Sequence, residues 1–259
     1  MLERNILVLM IQKSFSYLAL ACLLVHNLEA KSIDRPKDIT IVGGAGPQAG
    51  IMLADMIVRA CQIKWGCQND GDFPYIQLLS YPFSDMLSLG YSDVVAKELE
   101  FLVNHELTIE KTKAWVIACN TLHIYADKLS TGCNFTHIME VTRPYIKDRK
   151  ALILCTSASR KEQIHAKYLN AAYPEDIDDQ RAVDEIILSI LSGELDKEFS
   201  RKLEAICLKY PECIPVLGCT ELSLLQVKHP LSIPVVDPCE ILSEKLATDW
   251  YLSRLSLKS

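Results

Sequence analysis

Two short stretches hold the residues best suited to chemistry. Ala114 to His123 reads AWVIACNTLH, an apolar run ending in Cys119, Asn120, Thr121 and His123. Ile214 to Glu221 reads IPVLGCTE, a second apolar run ending in Cys219, Thr220 and Glu221. A thiol is a good nucleophile, and with a reference pKa of about 8.5 it is also a workable acid or base near neutral pH. Only roughly 3% of an unperturbed thiol is ionised at pH 7, so its neighbours must raise that fraction. His123 follows Cys119 by about one helical turn, and Glu221 follows Cys219 closely. A carboxylate beside a thiol does not stabilise the thiolate; it can accept the thiol proton or bind a substrate ammonium. Thr121 and Thr220, with the amides that open their helices, can bind a carboxylate. Two equivalent thiols have one natural use: one thiolate removes a proton from a carbon and the other thiol delivers a proton to the opposite face, giving the mirror image. The competing use is a Cys-His nucleophile pair forming a thioester, for which one cysteine suffices. A third reading makes both stretches helix N-termini where small residues happen to sit.

The elements around these stretches alternate. Ile39 to Val42 reads as a strand running into Gly43-Gly44-Ala45-Gly46-Pro47, with a helix from Gln48 to about Trp65, which is the opening of a βα unit. Tyr75 to Ser80 reads as a second strand, and about Ser92 to Thr112 as a long helix returning the chain to the Cys119 strand. A second series follows, with a weak strand at His137 to Met139, a strong one at Ala151 to Cys155, and helices at about Arg160 to Asn170, Asp179 to Leu191 and Asp196 to Lys209. The Cys219 strand, a helix from Thr220 to Val227, a last strand at Ile233 to Val236 and a helix from Cys239 to about Leu252 complete it. This alternation predicts an α/β fold with parallel sheets, whose strand carboxyl ends are where ligands bind. The paired Cys-Thr strand ends hint at a two-fold duplication.

The turn Gly44-Ala45-Gly46-Pro47-Gln48-Ala49 satisfies a dinucleotide fingerprint. The next strand, however, ends in Ser80, Tyr81 and Pro82, without the acidic residue that a ribose would want. The glycines read instead as letting backbone, Gly44 in particular, approach a small ligand.

A length of 259 residues suffices for one large or two small domains, and a net charge of −6 with no long basic run gives no reason to expect nucleic acid or an anionic membrane surface. Ten cysteines stand at positions without Cys-x-x-Cys or zinc-finger His spacing, so no metal site is expected. Cys61, Cys155 and Cys207 lie in apolar patterns and read as small core residues. Residues 1–30 have Arg4 and Lys13 before a mostly apolar stretch, Phe15 to Val25, followed by HNLEA with a cleavage site expected after Ala30. That is the pattern of a signal peptide, which predicts a periplasmic or secreted protein; a cytoplasmic extension is the alternative. The stretch is too short for a stable membrane span. An oxidising compartment would require the working thiols to be shielded.

Together, GGAGPQAG after the first strand, ACNTLH around Cys119, TSASRK at 156–161, the Gln180 region and LGCTEL around Cys219 resemble the aspartate/glutamate racemase family, the cofactor-independent amino-acid racemases, and most closely its aspartate racemase-like branch. The resemblance spans about Ile39 to Leu246. It implies two parallel-sheet α/β domains related by pseudo-two-fold symmetry, with the site at their interface, divided here as 37–137 plus 235–259 and 138–234. It implies Cys119 and Cys219 as the acid/base pair, no cofactor and in particular no pyridoxal phosphate, an amino-acid substrate, and a homodimer. By position Asn120, Thr121, Thr220 and Glu221 match substrate-contacting or thiol-tuning residues, and Lys161 matches a lysine expected at a substrate carboxylate; His123 is assigned to tuning. Aspartate or glutamate is the expected substrate. The chain departs from the aspartate branch at SYPFSDM, where Tyr81-Pro82 and Met86 replace the usual Asn and Arg, and at Ala158-Ser159, which replaces a Gly-Thr. The missing Arg is the residue that would hold a side-chain carboxylate. A related isomerase acting on a dicarboxylate and an exported, non-catalytic amino-acid binding protein are the alternative functions.

Overall fold

The computed structural model describes residues 36–84, 92–106, 112–126, 129 and 134–256. The expected signal peptide, Met86, Cys22 and Cys133 lie outside these residues. The first strand, β1 (Lys37–Gly43), is almost wholly buried and leads through the glycine turn into helix α1 (Pro47–Trp65). Gly46 caps that helix at φ 76°, a left-handed conformation that favours glycine, and Pro47 takes the first helical position, where its missing N–H costs nothing. Strand β2 (Ile76–Ser80), helix α2 (Asp93–Phe101), strand β3 (Thr112–Ile117), one turn of helix α3 (His123–Ala126), and strand β4 (Asn134–Phe135) complete the first sheet. All its pairings are parallel, in the order β2-β1-β3-β4.

Helix α4 (Ile138–Ile146) crosses to the second sheet, built from β5 (Ala151–Leu154), β6 (Ala171–Ala172) and β7 (Ile214–Leu217) in the order β6-β5-β7, again all parallel. Around these strands lie α5 (Ser157–Lys161), α6 (Ile177–Leu191), α7 (Lys197–Cys207) and α8 (Thr220–Lys228). The last helix, α9 (Pro238–Ser256), returns to pack on α1 and α4. The two sheets repeat one plan. In each, the first strand lies between the second and the third, and the third strand, β3 or β7, ends just before a cysteine, Cys119 or Cys219. That correspondence is the pseudo-two-fold relation in structural terms. One apolar core joins β1, β3 and α1 to Leu242, Leu246 and Trp250 of α9, and another joins Leu152, Leu154 and Leu217 to α6 and α7.

Several elements differ from the sequence-based expectation. The long helix over 92–112 is shorter: α2 ends at Phe101 and continues as a wider π-type turn over Leu102–Glu106. Thr112 instead opens β3, its hydroxyl 3.2 Å from that of Thr40 on the neighbouring strand. His137 is not in a strand but caps α4, its Nδ1 accepting the Met139 N–H, while the neighbouring strand is Asn134–Phe135. The helix expected over 160–170 stops after Lys161, and Gln163 adopts φ 52° before a short 3-10 turn over His165–Lys167. Ile233 to Val236 forms a single bridge, Val216 to Val236, in place of a strand. Pro234 has no N–H to donate to a ladder.

Candidate active site

In both cysteine stretches the residues just past the strand end face one cavity of about 160 Å³ lined from both halves of the molecule. From the first half come Gly44, Ala45 and Gly46 after β1, Phe83 and Ser84 after β2, and Cys119, Asn120 and Thr121 after β3. From the second come Thr156 after β5, Ile187 and Leu191 on α6, and Cys219 and Glu221 at the start of α8. The location follows from topology: in parallel sheets, ligand crevices form outside the carboxyl ends of the strands.

The two thiols have different surroundings. Cys119 is approached by the backbone N–H groups of Thr121 and Leu122 and by the Thr121 hydroxyl, all of which favour its thiolate, but burial and the Glu221 charge outweigh them and push it up to about 12. Cys219 donates to Glu221 Oε2 over 2.8 Å, and burial with that carboxylate holds it well above the usual thiol range. Burial also raises Glu221, against the bonds from Cys219 and the Thr220 hydroxyl, the latter 3.3 Å away. Charge on Cys119 raises Cys219 further, so the two thiols are electrostatically linked.

Gly46 explains how Glu221 reaches the first half of the molecule. A Cβ at residue 46 would run into the Glu221 carboxylate, and one at Gly44 would run into the Tyr81 backbone. The two glycines therefore buy close approach as well as turn geometry.

Asn120 is 3% exposed, lines the cavity, and neither its amide nitrogen nor its amide oxygen has a hydrogen-bond partner among the described residues. Buried amides are normally satisfied, so this side chain has its donors and acceptor free to pair with a ligand. Thr121 is tied across the two halves: its hydroxyl lies 2.9 Å from that of Ser159, which also accepts from Thr156 at 3.0 Å.

The remaining sequence-derived candidates lie off the cavity wall. Thr220 is buried at the start of α8 and bonds Glu221. His123 is buried, with Nδ1 2.8 Å from the Cys119 carbonyl oxygen and Nε2 3.5 Å from the Ile138 N–H. These partners require the Nδ1–H tautomer, and burial together with His137 lowers its pKa to about 3, so the ring is neutral and braces the Cys119 backbone. Lys161 ends α5 exposed and is not among the lining residues. Conversely, sequence patterns alone did not single out Phe83, Ser84, Ile187 or Leu191. Thr156 and Ser159 carry a detectable signal, hydroxyls directly after a buried strand, whereas Ile187 and Leu191 look like any core-facing helix positions.

Two parallel α/β halves holding a thiol-lined cavity between their strand ends define an isomerase of the racemase type once set beside known proteins. The family model described as Asp/Glu/Hydantoin racemase matches residues 42–246, and the chain belongs to that family. It is 25% identical over 232 residues to the broad specificity amino-acid racemase RacX of Bacillus subtilis (strain 168), covering 82% of this chain and 97% of that protein. Among solved structures it is similar to an aspartate racemase of Picrophilus torridus, with a TM-score of 0.69 and 21% identity over 83% of this chain and 94% of that one. It is also similar to an aspartate racemase homologue of Pyrococcus horikoshii OT3, with a TM-score of 0.63 and 21% identity over 83% and 99%. At these identities the structures speak for the fold.

Proposed function

We propose that the protein is a cofactor-independent amino-acid racemase in which Cys119 and Cys219 exchange the Cα proton. The observation that carries this reading is that the two strand-end thiols, one from each half, line the same cavity beside an unpartnered buried amide. The Asn120 amide offers a donor to the substrate α-carboxylate, with Thr121 beside it, and Glu221 faces the ammonium. A bound ammonium adds positive charge next to both thiols and lowers their pKa values, opposing the burial that keeps them protonated in the empty site. Cys119, with backbone N–H groups on its sulfur and no carboxylate bonded to it among the described residues, starts as the thiolate. It takes the Cα proton, and the bonding pair passes into the carboxylate as an enolate. Cys219 then delivers its proton to the other face and is left as the thiolate, with Glu221 available to exchange a proton with it. The reverse reaction runs with the roles exchanged.

RacX has a broad range in its name, and the structural relatives have aspartate, so the substrate must be read from the lining of this cavity. We further assign residues 1–30 as an export signal, which N-terminal sequencing of the mature protein tests.

The test of the chemistry is proton NMR in D2O with reduced protein and its Cys119→Ser and Cys219→Ser variants. Each substitution should lower racemisation by at least 100-fold. A rate within threefold of the parent in either variant defeats the two-thiol mechanism.

A further inference from the structure

Among the described residues lining the cavity, most side-chain hydrogen-bond donors are already engaged within the protein. Ser84 reaches the cavity, but its hydroxyl donates to Glu98 Oε1 at 2.8 Å and its N–H to Glu98 Oε2 at 3.1 Å. The Thr156 hydroxyl donates to Ser159, and Thr121 is tied to the same serine. Asn120 is left as the open amide. Among the described lining residues there is no Lys, Arg or His, and the one ionisable carboxyl is Glu221. Glu98 places a second carboxyl directly behind Ser84. The rest of the wall is apolar: Phe83, in edge contact with Tyr81 at 5.1 Å, together with Ile187 and Leu191, one turn apart on the same face of α6.

We propose that this cavity takes a neutral amino acid with an apolar side chain, such as leucine or methionine, and discriminates against aspartate and glutamate. The inference deepens the two-thiol racemase reading and rests on it. Asn120 and the neighbouring turn hold the α-carboxylate, and Glu221 holds the ammonium. The side chain lies against Phe83, Ile187 and Leu191, where apolar contact is favourable and a second carboxylate would be desolvated without a counter-charge. Leu191, at 38% exposure, sits at the rim and sets the polarity of that wall.

The experiment is Cα-proton exchange in D2O by the full reduced chain with L-leucine, L-methionine, L-aspartate and L-glutamate, alongside calorimetric binding of the same four. Exchange with leucine or methionine at ten or more times the kcat/KM of either acidic amino acid supports the proposal. Equal or faster exchange of aspartate or glutamate overturns it while leaving the two-thiol reading in place. Exchange of none defeats the two-thiol reading, and binding then decides: tighter binding of leucine or methionine upholds the side-chain class, and no such preference overturns it. In the racemising enzyme, Leu191→Arg should shift the ratio at least tenfold toward the acidic substrates; an unchanged ratio overturns the assignment of Leu191.

Discussion

The Cys219 thiol donates to the Glu221 carboxylate over 2.8 Å, with both groups buried in the cavity wall. Among the described residues no carboxylate bonds Cys119 in this way, so the two halves hold unequal thiols within a symmetric plan. Glu221→Gln removes the negative charge that holds Cys219 protonated and leaves only a neutral amide oxygen as acceptor. The Cys219 pKa should therefore fall, and its alkylation by iodoacetamide at pH 8, followed by mass spectrometry, should speed up several-fold. Racemisation should drop by about 100-fold, the lower end of what a positioned acid/base group contributes. Slower or unchanged alkylation would show that the carboxylate does not control this thiol.

Gly46 holds a left-handed backbone and touches Glu221 across the two halves. Gly46→Ala should cost about 1–2 kcal/mol for the left-handed conformation alone, with more from displacing Glu221. Urea unfolding measures the first effect. Activity should fall at least tenfold even at temperatures where the variant stays folded, because the displaced carboxylate is the Cys219 partner.

Acid stability should follow two buried histidines. Burial lowers His123 to about 3 and His165 to about 4, below the ordinary value of 6.5. Between those values the unfolded chain binds protons that the folded one refuses, so stability is intact above pH 6.5 and is lost as pH falls toward 4 and below. Urea midpoints at pH 7.5, 5.5 and 4.5 should decline in that order. A profile that stays flat in the Asp237→Asn variant, which lacks the opposing titration of that buried carboxyl, would mean that neither ring is held neutral.

Asp237 acts with the opposite sign. Its Oδ1 accepts from the Ser223 hydroxyl at 2.7 Å and the Cys239 N–H at 2.9 Å, yet burial raises it from 3.8 to about 6. Here the folded state keeps a proton that the unfolded state loses, so the contribution to stability falls as pH rises from 3.8 to 6 and stays at its reduced level above that. Asp237→Asn preserves an oxygen for both bonds and removes the charge. Relative to the parent, the variant should gain stability across that interval, by up to about 3 kcal/mol for a shift of this size. Paired urea titrations at pH 4 and pH 7 would detect it.

The placement of both cysteine stretches at strand ends was readable in the sequence because its signals are local. Apolar runs rich in β-formers predict buried strands, and Cys119-Asn120-Thr121 and Cys219-Thr220-Glu221 mark where each run becomes a polar turn. The glycine turn before Pro47 likewise announced a βα unit, and the alternation of elements announced parallel sheets. Boundaries suffered where a neighbour overrode local pattern: Thr112 joined β3 through pairing with β1, and His137 became a helix cap. Only the tertiary structure decided that both thiols share one cavity, that Gly46 admits Glu221, and that His123 turns to the Cys119 backbone while Lys161 stays outside. It also decided that Ser84 is engaged by Glu98 and that Ile187 and Leu191 form the cavity wall. These relationships join residues far apart in the chain through helix packing and side-chain direction. No local periodicity encodes which polar groups are already satisfied and which remain open for a ligand.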